Sequence, residues 1–302
     1  MKIGEAEMWL TGQLQTIYDR EEAANISALG MEHLSDLTRL ERSSKKETPL
    51  NVHQLHHLTE MTQRLLKHEP VQYVIGVAWF AGLKLYVDPT VLIPRPETEE
   101  LVDWIIKDVK AGGLPVFNND ENVADKTTEL KIIDVGTGSG CIALALKKAM
   151  PLAEVWGCDI SEEALNVARR NGSESNIRVD FQGLNFLDEA QQKFLPSIDI
   201  IVSNPPYISD KEKEILAENV LSYEPHAALF VPMDDPLIFY KALAKFGKKR
   251  LHDGGSIYVE INENSGQEVL QLFSEQGYKN VEVRKDMQGK NRMVKGSLSA
   301  TN

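Results

Sequence analysis

The chain has 302 residues, of which 42% are hydrophobic, and its formal net charge is -12 at pH 7. This composition allows a normal buried core, whereas the acidic balance disfavours DNA or RNA as a direct substrate, because proteins that bind phosphates usually carry a basic surface. No apolar run reaches the ~20 residues that a membrane helix requires, and the N-terminus lacks a secretory signal pattern. We therefore expect a soluble, cytoplasmic protein.

The first 70 residues show the periodicity of helices rather than strands. Apolar residues recur at helical spacing, for example at Leu55, Leu58, Met61 and Leu65. Asn51, just before this run, is a predicted N-cap. These patterns predict a small bundle of about four helices in residues 1–70.

A short stretch of β-like sequence follows the helical region. The β-like runs are Val71–Val74, Trp79–Phe80, Lys84–Val87 and Val91–Ile93. Gly76 and Gly82 separate them, as expected for turns between short strands. The pattern predicts a β-hairpin linker over residues 71–93.

From residue 94 onward, strand patterns alternate with helix patterns. Predicted strands are Lys131–Val135, Glu154–Asp159, Ile177–Phe181, Ile198–Ser203, Ser256–Ile261 and Asn280–Lys285, with a last antiparallel strand near Met293–Gly296. Predicted helices between them include Cys141–Met150, Glu162–Asn171, Leu237–Lys248 and Gly266–Gln276. This alternation predicts an α/β domain over 94–302, with a mostly parallel sheet and helices on both faces. Ala111–Glu129, rich in Gly, Asn, Asp and Thr, is a predicted surface loop.

A glycine-rich turn connects the first predicted strand of this domain to its helix. It consists of Gly136, Thr137, Gly138, Ser139 and Gly140. Glycines let the chain turn sharply and let a ligand approach the backbone. The GxGxG spacing suits a methionine-bearing nucleoside better than the GxGxxG of dinucleotide enzymes. A tight turn without a ligand is the alternative.

Asp159 supports the cofactor hypothesis, because it ends the next predicted strand. An acidic side chain there can accept hydrogen bonds from both ribose hydroxyls of an adenosine. A helix N-cap is the alternative role, although Ser161 already serves that purpose.

The tetrapeptide Asn204-Pro205-Pro206-Tyr207 follows another predicted strand, where open α/β sheets bind their ligands. The prolines stiffen the backbone and leave carbonyls that can only accept hydrogen bonds. An amide NH2 is a poor nucleophile, so an enzyme that methylates it must hold both N–H groups on acceptors. The Asn204 side-chain oxygen and the Pro205 carbonyl can provide them, and Tyr207 can pack on the planar group. A stiff surface turn is the alternative.

Together, these motifs resemble class I methyltransferases that act on planar nitrogens. A second group of motif residues comprises Pro70-Val71-Gln72-Tyr73, Gly76, Phe80 and Leu92-Ile93-Pro94-Arg95-Pro96-Glu97-Thr98-Glu99. Further residues that match the same family pattern are Tyr223-Glu224-Pro225, Glu260, Asp286 and Arg292. With these, nearly the whole chain resembles the peptide-chain release-factor glutamine N5-methyltransferases (the HemK/PrmC family).

The resemblance implies a seven-stranded Rossmann-like methyltransferase domain, a helical N-terminal domain for substrate recognition, and a release factor whose GGQ glutamine accepts the methyl group. It implies S-adenosylmethionine as cofactor, and a monomer is expected. The implied cofactor residues are Gly136, Thr137, Gly138, Ser139, Gly140, Asp159, Asn185, Phe186 and Asn204. The implied substrate residues are Asn204, Pro205, Pro206 and Tyr207, of which Asn204, Pro205 and Tyr207 are the catalytic candidates. Many family members have an acidic residue and an aromatic where this chain has Asn185 and Phe186.

Several alternatives remain open at this point. An adenine-N6 nucleic-acid methyltransferase shares the tetrapeptide but usually needs a basic groove, and a cofactor-binding protein without catalysis would not need Asn204 or Tyr207. Arg95 and Glu97 border the presumed cleft and could shape the cofactor pocket or pair with each other. His53 and His57 have i, i+4 spacing without an evident third ligand, so we expect no metal site.

Overall fold

The computed structural model describes residues 1–112, 130–209, 213 and 218–299. The predicted loop Ala111–Glu129 therefore falls almost wholly outside the described residues. The chain divides into two compact units, one formed by residues 1–77 with 217–223 and the other by the remainder. Within the described ranges, every helix is too short or too polar to span a membrane.

The first unit is helical, as its periodicity predicts. Its helices are α1 (Ile3–Leu14), α2 (Arg20–Ser35), α3 (Arg39–Ser44), α4 (Val52–Leu65), α5 (Val71–Ile75) and α9 (Glu218–Tyr223). The predicted N-cap of α4 is confirmed, because the Asn51 side chain accepts a hydrogen bond from the Gln54 amide at 2.9 Å. The Gln54 side chain accepts one from the Asn51 amide at 3.0 Å, which completes a capping box.

The segment that forms α5 is helical, so the prediction of a strand at Val71–Val74 is wrong. The amides of Tyr73 and Val74 donate to the Pro70 carbonyl at 3.0 Å each. Gly76 ends the helix with a φ of 66°. Valines favour strands locally, but Val71 and Val74 are buried in the helical core of this unit, and tertiary packing outweighs such weak preferences.

Apart from Val77, the predicted hairpin belongs to the second unit, which also contains an α/β sheet. The hairpin strands are β1 (Val77–Phe80) and β2 (Leu83–Tyr86); Val91–Ile93 is not a strand. The helices are α6 (Pro96–Lys110), α7 (Cys141–Ala149), α8 (Glu162–Glu174), α10 (His226–Leu229), α11 (Ile238–Arg250) and α12 (Gly266–Glu275). The strands of the main sheet are β3 (Lys131–Val135), β4 (Glu154–Asp159), β5 (Asp180–Gly183), β6 (Ile198–Ser203), β9 (Leu251–Glu260), β10 (Lys279–Lys285) and β11 (Asn291–Ser297). A separate two-stranded sheet pairs β7 (Ile208–Ser209) with β8 (Phe230–Val231).

The seven strands of the main sheet are ordered β5-β4-β3-β6-β9-β11-β10. The first five run parallel, and β11 pairs antiparallel with both β9 and β10. Neighbouring residues of the central strand β3 enter two separate apolar cores. Ile132 packs in a core with residues of α6, α7 and α8, whereas its neighbour Ile133 packs in one with residues of α11 and α12. The structure thus confirms a mostly parallel sheet with helices on both faces.

Candidate active site

Two loops that follow neighbouring strands meet at one edge of the sheet. β3 and β6 are parallel neighbours, with Val135 opposite Ser203, and the Ser203 hydroxyl donates to the Val135 carbonyl at 2.7 Å. The strand order reverses here, because β4 lies on one side of β3 and β6 on the other. Open α/β sheets bind ligands at the carboxyl ends of their strands at such a point. The loop Gly136–Gly140 and the tetrapeptide Asn204–Tyr207 therefore share the position expected for a ligand.

The glycine loop presents open backbone on this edge. Gly136 and Gly138 have φ values of 72° and 52°, and a Cβ at either position would meet no atom within 4 Å. The buried Asp134 anchors the loop, since its Oδ2 accepts the Thr137 hydroxyl at 2.6 Å and the Ala143 amide at 3.2 Å. Burial raises the pKa of Asp134 to about 7. Asp134 thus holds the start of the loop in place, while the backbone at Gly136 and Gly138 remains open to a ligand.

The second half of the loop is held by a residue that the sequence did not indicate. The Asn171 Nδ2 in α8 donates to the Ser139 carbonyl at 2.9 Å and to the Tyr86 carbonyl at 3.0 Å. Its Oδ1 accepts the Tyr86 amide at 2.7 Å. Gly140 begins α7 with a φ of 80°. Asn171 thereby connects the loop to strand β2.

Asp159 ends β4 beside the loop. Its Oδ2 accepts the Gly138 amide at 2.9 Å, and its Oδ1 accepts the Ser161 amide at 3.0 Å. Ser161 caps α8 by accepting from the Ala164 amide at 3.1 Å, so the helix does not depend on Asp159. A half-buried carboxylate with these two bonds keeps lone pairs for further donors, as ribose hydroxyls would supply. The residues present therefore fit the adenosine part of the expected cofactor.

Asn204 lies at the end of a hydrogen-bonded chain of side chains. Its Nδ2 donates to the Thr98 hydroxyl at 3.2 Å, and the Thr98 hydroxyl donates to Glu260 Oε2 at 2.6 Å. Thr98 is in the first turn of α6, and Glu260 ends β9. Thr98 and Glu260 are buried, whereas Asn204 is half-buried.

Glu260 also connects to the last residue of the tetrapeptide. The Tyr207 hydroxyl donates to Glu260 Oε1 at 3.3 Å. Burial raises the pKa of Glu260 to about 7, although Thr98, Arg292 and Tyr207 each oppose that rise. Burial, followed by the charge of Glu260, raises the pKa of Tyr207 as well, so the phenol keeps its proton at neutral pH. Tyr207 can therefore donate a hydrogen bond, and the residue is half-buried next to Pro205 and Pro206 in the chain.

Two arginines lie within electrostatic reach of Tyr207. Arg95 pairs with the buried Glu224 at 2.5 Å, so the hypothesis that Arg95 pairs with Glu97 is wrong. Arg292 donates from Nε to Asp286 Oδ2 at 3.2 Å. Both ion pairs lie next to the candidate site rather than on the open surface.

The structure places Asn185 and Phe186 after β5. Asn185 Oδ1 accepts the Leu187 amide at 3.0 Å, which makes a local turn. The Phe186 ring is 6% exposed and packs edge-on against Phe246 at a centroid distance of 5.2 Å. These contacts stabilise the loop and the core, and a cofactor role for either residue stays a prediction.

The sequence assigned no role to Thr98 or Asn171, although both hold candidate site residues in place. Helix α6 was not among the predicted helices, because the run Pro94–Glu99 reads as a proline-rich turn. Pro96 at its first position and acidic residues in its first turn are start signals that could have located it. Asn171 gave no signal, since a polar residue late in a helix is ordinarily exposed.

The chain is similar to known methyltransferases over most of its length. The chain matches the family models of the Methyltransferase small domain over residues 121–228 and of the PrmC N-terminal domain over residues 5–76. It is 38% identical to a release factor glutamine methyltransferase of Flavobacterium psychrophilum, covering 93% of this chain and 94% of the relative. For the protein of the same name from Bacteroides thetaiotaomicron, identity is 41% over 95% and 96% of the two chains. A solved methyltransferase from Pyrococcus furiosus shares the fold, with a TM-score of 0.50, 18% identity, and 80% of this chain and 100% of that chain covered.

Proposed function

The chain belongs to the release factor glutamine methyltransferase family, and we propose that it methylates the side-chain amide nitrogen (N5) of the glutamine in the GGQ motif of release factors. The observation that carries this proposal is the position of Asn204-Pro205-Pro206-Tyr207 at the carboxyl end of β6, beside the glycine loop that follows β3. That arrangement places hydrogen-bond acceptors next to an open backbone loop, as amide methylation requires.

The proposed cofactor is S-adenosylmethionine, which supplies an electrophilic methyl group when bound. The residues that would hold it are Gly136, Thr137, Gly138, Ser139, Gly140 and Asp159, with Asn204 contacting both cofactor and substrate. Asn185 and Phe186 are candidates for the adenine side. The open backbone at Gly136 and Gly138 and the remaining acceptor capacity of Asp159 support this assignment.

The tetrapeptide residues would position the glutamine amide. The Asn204 Oδ1 and the Pro205 carbonyl would each accept one N–H of the substrate, which orients its nitrogen. Tyr207 would pack on the planar amide, and Pro206 would keep the loop stiff. Acceptors favour the positive charge that develops on the nitrogen, so the rate gain comes from positioning and preorganised dipoles rather than from a strong base.

A division of the chain into working parts belongs to the same proposal. Residues 1–70 would recognise the release factor, residues 71–93 would connect the two parts, and residues 94–302 would carry out the chemistry. The protein partner is a translation factor, so we expect the protein to act in the cytoplasm.

A methyl-transfer assay tests the function directly. Purified protein is incubated with isotopically labelled S-adenosylmethionine and either a recombinant release factor or bulk DNA and RNA, and the GGQ peptide is examined by mass spectrometry. Label on the GGQ glutamine is the expected result. Label on adenine with none on the protein would instead establish the nucleic-acid alternative.

The variant Asn204→Ala tests the tetrapeptide. We expect kcat to fall by at least about 100-fold, because an acceptor of the reacting amide is lost. Affinity for S-adenosylhomocysteine, measured by calorimetry, should largely persist. Asn166→Ala, on the exposed face of α8, is the matched control and should retain wild-type kcat. Full activity of Asn204→Ala would contradict the assigned role.

A further inference from the structure

The Thr98 hydroxyl lies between a hydrogen-bond acceptor, the Glu260 carboxylate, and a hydrogen-bond donor, the Asn204 amide. On one side, its hydroxyl lies 2.6 Å from Glu260 Oε2, and on the other, 3.2 Å from Asn204 Nδ2. Its relative exposure is 2%, so water cannot readily replace either partner. The hydroxyl has one hydrogen to donate and lone pairs to accept with.

The donor count determines how the Asn204 carboxamide is turned. Above its pKa of about 7, Glu260 is ionised and can only accept. In that form the single Thr98 hydrogen is committed to Glu260, and the 2.6 Å distance is typical of a charge-assisted bond. Only lone pairs of Thr98 then remain for Asn204. The NH2 end of Asn204 satisfies them, whereas its carbonyl end would face another acceptor. Because Oδ1 and Nδ2 diverge from the same carbon, Oδ1 is turned away from Thr98.

We propose that Thr98, supported by Glu260, is a positioning residue that determines which end of the Asn204 carboxamide faces the substrate. This inference rests on the proposed function, in which Asn204 Oδ1 accepts an N–H of the glutamine. In this orientation, Asn204 and the Pro205 carbonyl both present acceptors. The site then selects the nitrogen end of the substrate amide.

The reversed orientation would have the opposite selectivity. An Asn204 that presented its NH2 group would attract the carbonyl oxygen of the glutamine and oppose its nitrogen. The substrate would bind with the wrong atom directed at the methyl donor. Thr98 thus determines, through Asn204 and without touching the substrate, whether the site binds the nitrogen or the oxygen of the substrate amide.

Two substitutions at Thr98 separate the hydroxyl from the shape of the side chain. Thr98→Val keeps the branched shape but has no hydroxyl, and Thr98→Ser keeps the hydroxyl. For transfer to a release factor, we expect kcat to fall about 10- to 100-fold in Thr98→Val and to stay within about 3-fold of wild type in Thr98→Ser. KM for S-adenosylmethionine should change little in both. Melting temperature and S-adenosylhomocysteine binding report whether each variant is folded, and Thr98→Ala replaces Thr98→Val if the latter does not fold.

A binding experiment measures the discrimination itself. Calorimetry with S-adenosylhomocysteine present compares a release factor that carries the GGQ glutamine with one in which glutamate replaces it, because glutamate offers only acceptors. We expect wild type and Thr98→Ser to prefer the glutamine form by at least about 10-fold. In Thr98→Val this preference should fall to within about 3-fold, because Asn204 is then free to turn and donate.

The outcomes distinguish the two proposals. A wild-type protein that does not methylate the release factor refutes both. If wild type is active but Thr98→Val keeps its kcat and its preference for glutamine, only the assignment of Thr98 is overturned. An equal loss of kcat in Thr98→Val and Thr98→Ser, with the preference intact, would show a role in packing alone and would also overturn it.

Discussion

At the scale of single residues, the candidate site depends on buried acids that are partly satisfied by hydroxyl donors. Glu260 accepts from Thr98 and Tyr207, and Asp134 accepts from Thr137. Burial raises the pKa of both acids to about 7, because a carboxylate in an apolar surrounding loses its hydration. Each acid holds in place a loop that carries candidate site residues. When the acid is ionised, its burial lowers the stability of the folded protein.

The pH dependence of stability should reveal this cost at Glu260. Its pKa is about 7 in the folded protein against 4.5 for an ordinary glutamate, so the folded state binds more protons between these values. Stability therefore falls as pH rises from about 4.5 to about 7. Relative to Glu260→Gln, wild type should lose up to about 3 kcal/mol of unfolding free energy over this range.

Urea denaturation of both proteins between pH 4.5 and 8 measures this difference. Arg292, Tyr207 and Glu97 are among the charged and titratable groups that act on Glu260, and all three are unchanged in the variant. The difference thus isolates Glu260. A wild-type-minus-variant difference that stays constant with pH would show that Glu260 has an ordinary pKa.

At the scale of elements, helix packing determines where glycine is required. Gly247 lies in α11, and a Cβ there would overlap the Tyr278 hydroxyl oxygen and lie 3.1 Å from Leu251 Cδ1. The Tyr278 hydroxyl cannot move freely, because it donates to the Ala244 carbonyl at 2.9 Å in the buried core. The close approach of α11 to Tyr278 thus excludes any larger residue at this position.

Gly247→Ala should therefore destabilise the second unit by about 1–3 kcal/mol, despite the better helix propensity of alanine. Gly12→Ala in α1 is the control, because its Cβ would meet no atom within 4 Å. That change should stabilise the first unit by up to about 1 kcal/mol. Chemical denaturation followed by circular dichroism gives both values, and a neutral or stabilising Gly247→Ala would contradict the packing described here.

At the scale of the whole molecule, contacts between distant segments hold the candidate site in place. Asn171 connects α8 to Tyr86 in β2 and to Ser139 in the glycine loop, and it is 1% exposed. Because its two ends donate and accept at once, no aliphatic or acidic residue can replace all three bonds. One side chain therefore joins segments that lie far apart in the sequence.

Asn171→Asp should cost about 2–4 kcal/mol of stability, since the Ser139 and Tyr86 carbonyls lose their donor and face a carboxylate. It should also weaken S-adenosylhomocysteine binding, because the Ser139 carbonyl is released. Asn166→Asp makes the same change on the exposed face of α8 and should stay within about 0.5 kcal/mol of wild type. Calorimetric melting and binding measure both effects. Equal behaviour of the two variants would argue against the connecting role of Asn171.

Local periodicity was sufficient to predict most of the fold. Strand β6 is mostly apolar and is buried along its whole length, and α4 has an amphipathic repeat behind a capping residue. Where local signals were mixed, prediction failed: valines suggested a strand at Val71–Val74, and the proline-rich start of α6 hid a helix. In both places, burial against the rest of a unit decided the conformation.

The sequence by itself determined the fold class and the motifs that follow the carboxyl ends of β3 and β6, because a residue's place at the end of a strand can be predicted from the local sequence. Only the tertiary structure decided how those residues are oriented. Thr98 meets Asn204 across 106 residues of sequence and Glu260 across 162. Such hydrogen bonds depend on the order in which parallel strands are placed in the sheet and on the packing of α6 against it, and no local pattern encodes either.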